Sequence, residues 1–513
     1  MRFHLVSLSI FLPLIIFGQV KYDYVWLNGT DGAHDADPST PGYENVGINM
    51  LNFNNGELNI TRDYRDSDFY LNNASISSAD GELLFYTNGC KVFQADGQVM
   101  KNGKGLNPGV AYDLGQCPDD GNSVSNGSLI LPLPESDGVF YIFHKSLDWG
   151  DLINVSIYDA ILYTTVVDMS KHGGLGEVLV KNDTIIYDTL FNDLHAVRHA
   201  NGLDWWVMTS DGINNTYHKV LLTSDGVSGV FEQSIGPPTD IRRNGMSCFS
   251  PDGKMFARYD YTAQIRLFDF DRETGELSNF RHLTADTIYN NHLGYSIAFS
   301  PSSRFLYVGS LRQLYQFDLE AADIQDSQVF LAEYDGHEYL NTFPSDFGFM
   351  RLAPDCKIYM SSRSATPMYH VIHHPDRKGL ECGFVQRGLS LPAYNIAAIP
   401  NFPNYRLGTG YPVCDSTIQL VVSSVQVPPP VQEVLVYPNP ASTEVSVELP
   451  VPLTDDAQWS LYDAVGARVL SGKLAKGQRL YQIDIQGVPS GLYFWEAKGN
   501  VGRFGGGKLI VLK

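Results

Sequence analysis

The sequence has 513 residues, more than one ordinary hydrophobic core accommodates, so we expect two or more domains. Hydrophobic residues make up 43% and aromatic residues 12%, which supplies buried cores and argues against a disordered chain. The net charge of -21, without any basic stripe, excludes a nucleic-acid partner recognised through its phosphates.

The first residues have the layout of a secretory signal peptide. Arg2 precedes an apolar run from Leu5 to Phe17, which the small residue Gly18 ends. The run is too short to span a bilayer, and no later segment reaches the roughly 18 apolar residues of a membrane helix. We therefore expect a signal peptide over residues 1–19, export through the periplasm and no transmembrane helix.

Export permits disulfide bonds among the six cysteines. None of them forms a C-x-x-C pair, which disfavours a zinc ribbon or a redox motif. Sequence alone leaves the connectivity open. We favour Cys90 with Cys117, because both flank one turn-rich segment, and Cys382 with Cys414 as a second pair.

One pattern recurs along the chain: a strand-like run, a polar turn and a second strand-like run. "SISSADGELLFYTNG" (75–89) and "SCFSPDGKMFARYD" (247–260) are two copies. The turns of the six copies centre on Gly81, Gly138, Gly202, Gly253, Ser303 and Cys356. Their spacing of about 50 to 64 residues is typical of a β-propeller, in which each repeat forms a sheet of about four strands.

The second half of the repeat is also recognisable. Strand–turn–strand patterns cover residues 218–235, 264–283 and 313–331, and a further copy at 48–64 precedes the first hairpin. That copy lacks an inner hairpin, and "YNIAAIPNFPNYRLG" (394–408) is the candidate to supply it from the other end of the domain. We therefore predict an all-β fold with a seven-bladed propeller over residues 20–418, with six or eight blades left open.

Several of these stretches resemble a known superfamily. "FSPDGKMF", "QIRLFDFDRETGEL" and "SPSSRFLYVGSLRQLYQFDLE" are similar to the repeats of WD40-like, TolB-like and lactonase-like propellers. The resemblance covers roughly residues 20–416, and its motifs are specific for the fold and poor for the function.

The last part of the chain has a different character. Residues 419–432 contain a Pro-rich linker, and alternation such as Val445, Val447 and Leu449 predicts a small Ig-like β-sandwich over 433–513. "YPNPAS", "LYDAVGARV", "SGLYF" and "KLIVLK" follow in order and resemble the type IX secretion C-terminal sorting domain. The resemblance implies export across the outer membrane by the type IX machinery. It also implies that the motif residues are Tyr437, Pro438, Asn439, Pro440, Gly466, Gly491 and Tyr493.

The stretch "HANGLDWWVMTSDG" (199–212) combines residues that also occur in catalytic sites. If Asn201 and Gly202 form a two-residue turn, His199 lies opposite Asp204, and the two side chains would clip the hairpin. We interpret this group as structural, because a catalytic pair needs a third partner and a cleft. Trp205 and Trp206 would point to opposite faces and pack against different neighbouring blades.

No complete G-x-S-x-G, H-E-x-x-H or P-loop motif is present. "HVIHHPD" (370–376) could suggest a metal but has no evident third ligand, and the acidic stretch "DGAHDADPSTPG" (31–42) lacks the spacing of an EF-hand loop. We therefore expect no metal and no cofactor. Ligand-binding candidates come instead from the loops between blades and between second and third strands, which line the face where propellers commonly bind ligands. They are Asn72, Asn122, Asp193, Arg243, Asn244, His292 and Asp346 between blades, and Arg258, Asp260, Arg312 and Arg363 within blades.

These features favour a secreted or cell-surface binding protein with a protein or glycan ligand. The alternative is a propeller enzyme, such as a lactonase, a lyase or a glycoside hydrolase. A glycoside hydrolase would need two carboxylates about 5–10 Å apart in the central cleft. Converging acids around a polar cleft would therefore favour the enzyme.

Overall fold

The protein is described by a computed structural model. The described residues are 20–30, 46–65, 67–69, 71–109, 112, 117, 121–149, 157–191, 193–212, 214–238, 245–260, 264–285, 294–420, 434–449, 452–453, 456–463, 467–499 and 502–513. The signal peptide predicted for residues 1–19 lies outside them. The chain divides into an N-terminal unit that ends at Val422 and a C-terminal unit from Ser423 to Lys513.

The N-terminal unit is built from antiparallel sheets of four strands. Four of these sheets consist of consecutive strands. They are β12 (His195–Arg198), β13 (Trp205–Ser210), β14 (Thr216–Thr223) and β15 (Gly226–Ser234); β16 (Gly245–Phe249), β17 (Met255–Asp260), β18 (Gln264–Asp271) and β19 (Glu276–Thr284); β20 (Gly294–Phe299), β21 (Phe305–Ser310), β22 (Gln313–Asp318) and β23 (Val329–Glu333); and β26 (Met350–Leu352), β27 (Ile358–Met360), β28 (Thr366–Ile372) and β29 (Phe384–Asn395).

Two further four-strand groups join into one eight-stranded sheet through a parallel pairing of Glu177 with Lys101. Their strands are β4 (Ala74–Ser77), β5 (Leu83–Thr87), β6 (Lys91–Gln94) and β7 (Val99–Lys104), followed by β8 (Ser128–Pro132), β9 (Val139–Trp149), β10 (Ile157–Asp168) and β11 (Glu177–Leu190). A two-stranded ribbon, β24 (Glu338–Tyr339) and β25 (Phe343–Pro344), and short 3-10 turns at Asn54–Gly56, His172–Gly174, Gln325–Ser327 and Gly379–Cys382 complete the connections.

The six predicted hairpins are present, each between the first two strands of a group. All six predicted turn residues have a positive φ, between 64° at Cys356 and 96° at Gly81. Glycine adopts this conformation without strain, whereas Ser303 and Cys356 adopt it at some cost. Alternation of strand formers and this turn chemistry therefore suffice to locate the hairpins.

The first sheet contains segments from both ends of the N-terminal unit, as the sequence predicted. The C-terminal contribution, however, does not come from the predicted segment. Its strands are β1 (Val25–Thr30), β2 (Gly47–Asn52), β3 (Glu57–Asp63) and β30 (Gln419–Leu420), which pairs parallel with β3. The prediction that 394–408 supplies the inner hairpin is wrong. After β29 ends at Asn395, no strand occurs before Gln419. Pro400 and Pro403 lack the N–H groups that a strand ladder needs.

Trp205 and Trp206 lie in different hydrophobic clusters, as predicted for adjacent residues of a strand. Trp205 is fully buried in the main core and contacts the ring of Tyr405 edge-on at 5.9 Å. Trp206 belongs to a second cluster with Phe256 and Phe268 of the next sheet. The pair therefore serves packing between sheets.

One of the two expected disulfides is present. Cys90 is bonded to Cys117, with Cα atoms 5.5 Å apart. The pairing of Cys382 with Cys414 is wrong: Cys414 is bonded to Cys356, and Cys382 is a buried free thiol, like Cys248. The chain after Asn395 returns to the turn of the last four-strand group, which brings Cys414 beside Cys356, 58 residues away in sequence.

The C-terminal unit has two sheets around one hydrophobic core that includes Trp459 and Val445. The strands are β31 (Leu435–Tyr437), β32 (Glu444–Glu448) and β35 (Leu480–Asp484), and then β34 (Arg468–Leu474), β33 (Ala457–Tyr462), β36 (Gly491–Gly499) and β37 (Gly502–Val511). None of the helices in the described part of the chain is long and apolar enough to cross a membrane.

Candidate functional site

Four of the predicted ligand-binding residues fall where the structure gives no side-chain description. Arg243, Asn244 and His292 lie outside the described residues, and only the backbone of Asp260, the last residue of β17, is described. The other seven candidates form three groups. Lys145 joins the first two, because Asn122 donates to its carbonyl and its Nζ donates to the carbonyl of Asp193.

Asn72 and Asn122 form the first group. Both are fully buried, and both lie against Gly89, where an added Cβ would approach Asn72 Nδ2 to 2.4 Å and Asn122 Cβ to 2.7 Å. Asn122 Nδ2 donates to the carbonyl of Lys145 at 3.3 Å, while neither side-chain amide atom of Asn72 has a hydrogen-bond partner among the described residues. This group joins the start of β4 to the loop before β8.

Asp193 and Arg258 form the second group, around the hydroxyl of Ser210. Ser210 Oγ donates to Asp193 Oδ2 at 2.7 Å, and Arg258 Nη1 donates to Ser210 Oγ at 2.8 Å. The Arg258 guanidinium also lies 3.7 Å from the centre of the Phe191 ring. All these polar side chains are almost fully buried, so they hold β13 to β17.

Asp346, Arg312 and Arg363 form the third group. The backbone N–H of Arg363 donates to Asp346 Oδ1 at 3.1 Å, and Arg363 Nε lies 3.7 Å from Asp346 Oδ2. Burial raises the pKa of Asp346, although the nearby arginines oppose this shift. Arg312 lies over the ring of Tyr334 at 5.8 Å.

The hairpin at Asn201 and Gly202 has the predicted backbone pairing but not the predicted side-chain clip. The N–H of His199 donates to the carbonyl of Asp204 at 2.9 Å, so the two residues face each other. The carboxylate of Asp204 accepts from Asn201 Nδ2 at 2.7 Å, and His199 Nε2 lies 3.0 Å from the carbonyl of Glu273. Asn201 thus takes the role that we expected for His199.

A further group of converging polar side chains consists of residues that the sequence analysis did not select. Asn401 lies in the segment after β29. It forms hydrogen bonds with the first strands of several four-strand groups or with the residues just before them. Its Nδ2 donates to the carbonyls of Leu194 at 2.8 Å and Ser128 at 3.2 Å, and its Oδ1 accepts from Arg351 Nη2 at 3.1 Å. Arg351 Nη2 also donates to Asn126 Oδ1 at 3.3 Å. We call Arg351, Asn126, Asn401 and the adjacent His195 the central polar cluster.

Arg351 is the only charged member of this cluster at neutral pH. Burial lowers the pKa of Arg351 to about 10, so its guanidinium remains charged. Burial raises the pKa of the neighbouring Cys248 thiol to about 12, which keeps that thiol neutral. Among the described residues, no ion pair includes Arg351, and Arg351 is 7% exposed.

His195 borders the guanidinium and is neutral. Burial, followed by the charges of Arg351 and Lys145, lowers the pKa of His195 well below its usual value. Lys145 is itself engaged, because its Nζ donates to the carbonyls of Phe191 and Asp193. A neutral imidazole supplies one donor and one acceptor without adding charge.

A cavity of about 80 Å³ adjoins the cluster. Arg351 and Cys248 line it together with apolar side chains and the ion pair of Asp23 with Arg406, and the segment 402–406 closes another wall. The other members of the central polar cluster do not line it. The apolar part of the lining comes from Phe249, Ile297, Ala298, Phe299, Met350 and Leu352. The arrangement can hold a small polar group by hydrogen bonds and one charge, while apolar walls exclude bulk water.

These features define an exported all-β protein with a C-terminal sorting domain. Residues 435–511 match the family described as Secretion system C-terminal sorting domain. The C-terminal unit therefore acts with the type IX secretion machinery, and the protein is secreted or held at the cell surface. No curated protein matches the chain.

Solved structures of propeller and lactonase-like proteins are similar to the chain. A putative 6-phosphogluconolactonase from Bacteroides uniformis has 14% identity and a TM-score of 0.42, with 73% of this chain and 98% of that chain covered. The β-propeller domain of Swd1 from Myceliophteria thermophila has 10% identity and a TM-score of 0.33, with 62% and 87% covered. A luciferin-regenerating enzyme has 12% identity and a TM-score of 0.32, with 67% and 85% covered.

Proposed function

We propose that the protein is a seven-bladed β-propeller with a C-terminal Ig-like β-sandwich, and that it binds a protein or glycan ligand outside the cell. Seven groups of four strands support the blade count, if the eight-stranded sheet is read as two blades. First strands of successive groups are neighbours, as in β4 with β8 or β16 with β20. The ring closes where Ala393 of β29 exchanges hydrogen bonds of 2.8 and 3.0 Å with the Asn49 side chain of β2.

The observation that carries binding over catalysis is the state of the buried acids. Every buried aspartate among the described residues is bound to a cation, a hydroxyl or an amide of its own neighbourhood. Asp23 pairs with Arg406 and Asp318 with Arg304, while Asp193 is held by Ser210 and Thr209. The remaining members are Asp168, Asp211, Asp346 and Asp355. Acids committed to structural partners are poorly placed for general acid–base work.

The test is a parallel screen of the full-length exported chain on a glycan array and in a pull-down from the extracellular medium. We expect one class of ligand to be captured at a saturable site. The same preparation is offered lactone and glycoside substrates. Turnover of any of them, abolished in a variant of a buried aspartate that still folds, would favour the propeller enzyme instead.

A further inference from the structure

The guanidinium of Arg351 is a buried cation without a described counter-ion. A charge removed from water is costly unless an opposite charge and hydrogen bonds compensate it. Two amide oxygens, those of Asn126 and Asn401, accept from Nη2, and the neutral Cys248 thiol contributes no negative charge. The cluster therefore has a net positive charge at the centre of the N-terminal unit.

Several buried polar atoms of the cluster have no hydrogen-bond partner among the described residues. They are Arg351 Nε, which is a donor of the guanidinium itself, Asn126 Nδ2 and the ring atom His195 Nε2. The side-chain amide oxygen of Asn126 accepts from Arg351, so the NH₂ group of Asn126 points away from the guanidinium. A buried guanidinium with a free N–H favours an anion, because a carboxylate or a phosphate only accepts.

We propose that the Arg351 guanidinium, where it lines the adjoining cavity, is a buried binding site for a small oxyanion, namely a carboxylate or phosphate group. The adjoining cavity of about 80 Å³ is roughly half of an engineered apolar cavity of about 150 Å³ that binds benzene. It therefore has room for a group the size of acetate or inorganic phosphate. This inference rests on the proposed binding function and names the ligand chemistry at its centre.

The competing interpretation is that Arg351 only tethers Asn401. A tether needs the two hydrogen bonds of Nη2 but no anion. The two interpretations differ in whether oxyanions stabilise the folded chain, since a ligand that binds only the folded state raises its stability in a saturable way.

The experiment titrates the full-length chain with sodium acetate and, separately, with sodium phosphate, in sodium chloride at constant ionic strength. Thermal midpoints and calorimetric titration are the readouts. We expect a saturable rise of the thermal midpoint with at least one of the two anions, and the stronger one identifies the source as carboxylate or phosphate. Equal midpoints in acetate, phosphate and chloride would overturn the site.

Two variants locate the effect. Arg351→Met should weaken anion binding about tenfold or more, because it removes the charge and its donors. Arg258→Met is the matched control, since Arg258 is also a buried arginine with donors that lack described partners but does not line the cavity. It should lower the thermal midpoint and leave the anion-induced rise unchanged. An unchanged anion response in Arg351→Met would contradict the assignment.

A third variant keeps the test valid if Arg351→Met does not fold. Asn126→Asp places a carboxylate beside the guanidinium with almost the same shape, so it should raise the midpoint in chloride and abolish the anion response. A lower thermal midpoint of Asn126→Asp together with a retained anion response would contradict the proposal. Saturable anion binding without any captured glycan or protein would instead refute the proposed function and leave the oxyanion site intact.

Discussion

At the residue scale, the unusual buried charge of Arg351 was detectable by comparing repeats. Arg351 lies five residues before its turn residue, Cys356, and the same position in the other copies is small or apolar: Ile76, Leu133, Val197, Cys248 and Ala298. A charge at a position that is otherwise buried and apolar indicates a function or an ion pair. Asn401 could not be found in this way, because its segment belongs to no repeat.

The loop residues chosen from the sequence were harder to place correctly. A charged residue in a loop is expected to be exposed to a ligand. Asp193 and Arg258 are instead buried, and both form hydrogen bonds with the hydroxyl of Ser210. Such three-residue contacts depend on the spacing between sheets, which no periodicity in the sequence encodes. For that reason the sequence predicted that these positions are polar, but not which of their side chains contact one another.

A pH prediction follows from buried neutral histidines. His144 donates through Nδ1 to Asn107 Oδ1 at 2.7 Å and accepts through Nε2 from Thr165 at 2.8 Å, and burial lowers its pKa to about 3. Its contribution is complete above the unfolded pKa of about 6.5 and declines as the pH falls toward the folded pKa. At pH 5 the cost is about 2 kcal/mol for such a group.

His144→Gln should therefore show a smaller loss of stability between pH 7 and pH 5 than the parent chain, measured by urea unfolding at each pH. His172→Gln is the control, because His172 is exposed. Identical pH slopes in the parent and in His144→Gln would show that the imidazole is not buried in its neutral form.

At the scale of elements, the hairpins were the most predictable part of the fold. Their turns need a positive φ, which glycine provides at four of the six positions, and the flanking runs alternate or are continuously apolar. The closing strand Gln419–Leu420 was not predictable, because two exposed residues carry no pattern. The segment between β29 and this strand packs residues such as Phe402 and Tyr405 into the main core, and the chain then reaches β3.

The motif of the sorting domain also has a local structural role. Asn439 Nδ2 donates to the carbonyl of Lys508, and Asn439 Oδ1 accepts from the N–H of Ile510, both at 2.9 Å. Gly491 pairs with Val511, and the hydroxyl of Tyr493 donates to the carbonyl of Pro489 at 3.0 Å. The side chain of Asn439 thus continues the ladder of the final strand, while Gly466 lies outside the described residues.

Asn439→Ala should loosen the final strand, because two hydrogen bonds to its backbone are lost at an exposed position. We expect about 1 kcal/mol of destabilisation and a smaller fraction of the protein exported. Ser442→Ala, another exposed change nearby, is the control. The thermal midpoint and the exported fraction are measured for both variants. Equal values would refute a role of Asn439 in the final strand.

At the scale of the whole molecule, closure depends on contacts that join the two ends of the N-terminal unit. Arg406 Nη2 donates to Asp23 Oδ2 at 2.8 Å, and both side chains are buried. Cys414 is held to the turn of the last group by Cys356. The sequence predicted that both ends of the unit contribute to the first sheet, but not which segments do so, and the cysteine pairing depended on the path of the chain after Asn395.

Replacing both Cys356 and Cys414 by Ala should destabilise the fold by roughly 4 kcal/mol, the loop-closure value for their separation. Urea unfolding measures the effect. Cys382→Ala removes a buried free thiol without opening a loop and should cost much less. A double variant as stable as Cys382→Ala would mean that the disulfide does not secure the end of the unit.

We propose that the exported protein binds its ligand without transforming it. The most direct measurement incubates the full-length chain with the ligand captured in the screen and compares the ligand mass before and after. We predict saturable binding and recovery of the ligand with unchanged mass. Recovery of a hydrolysed, eliminated or ring-opened product in excess over the protein would contradict this proposal and show that the protein is an enzyme.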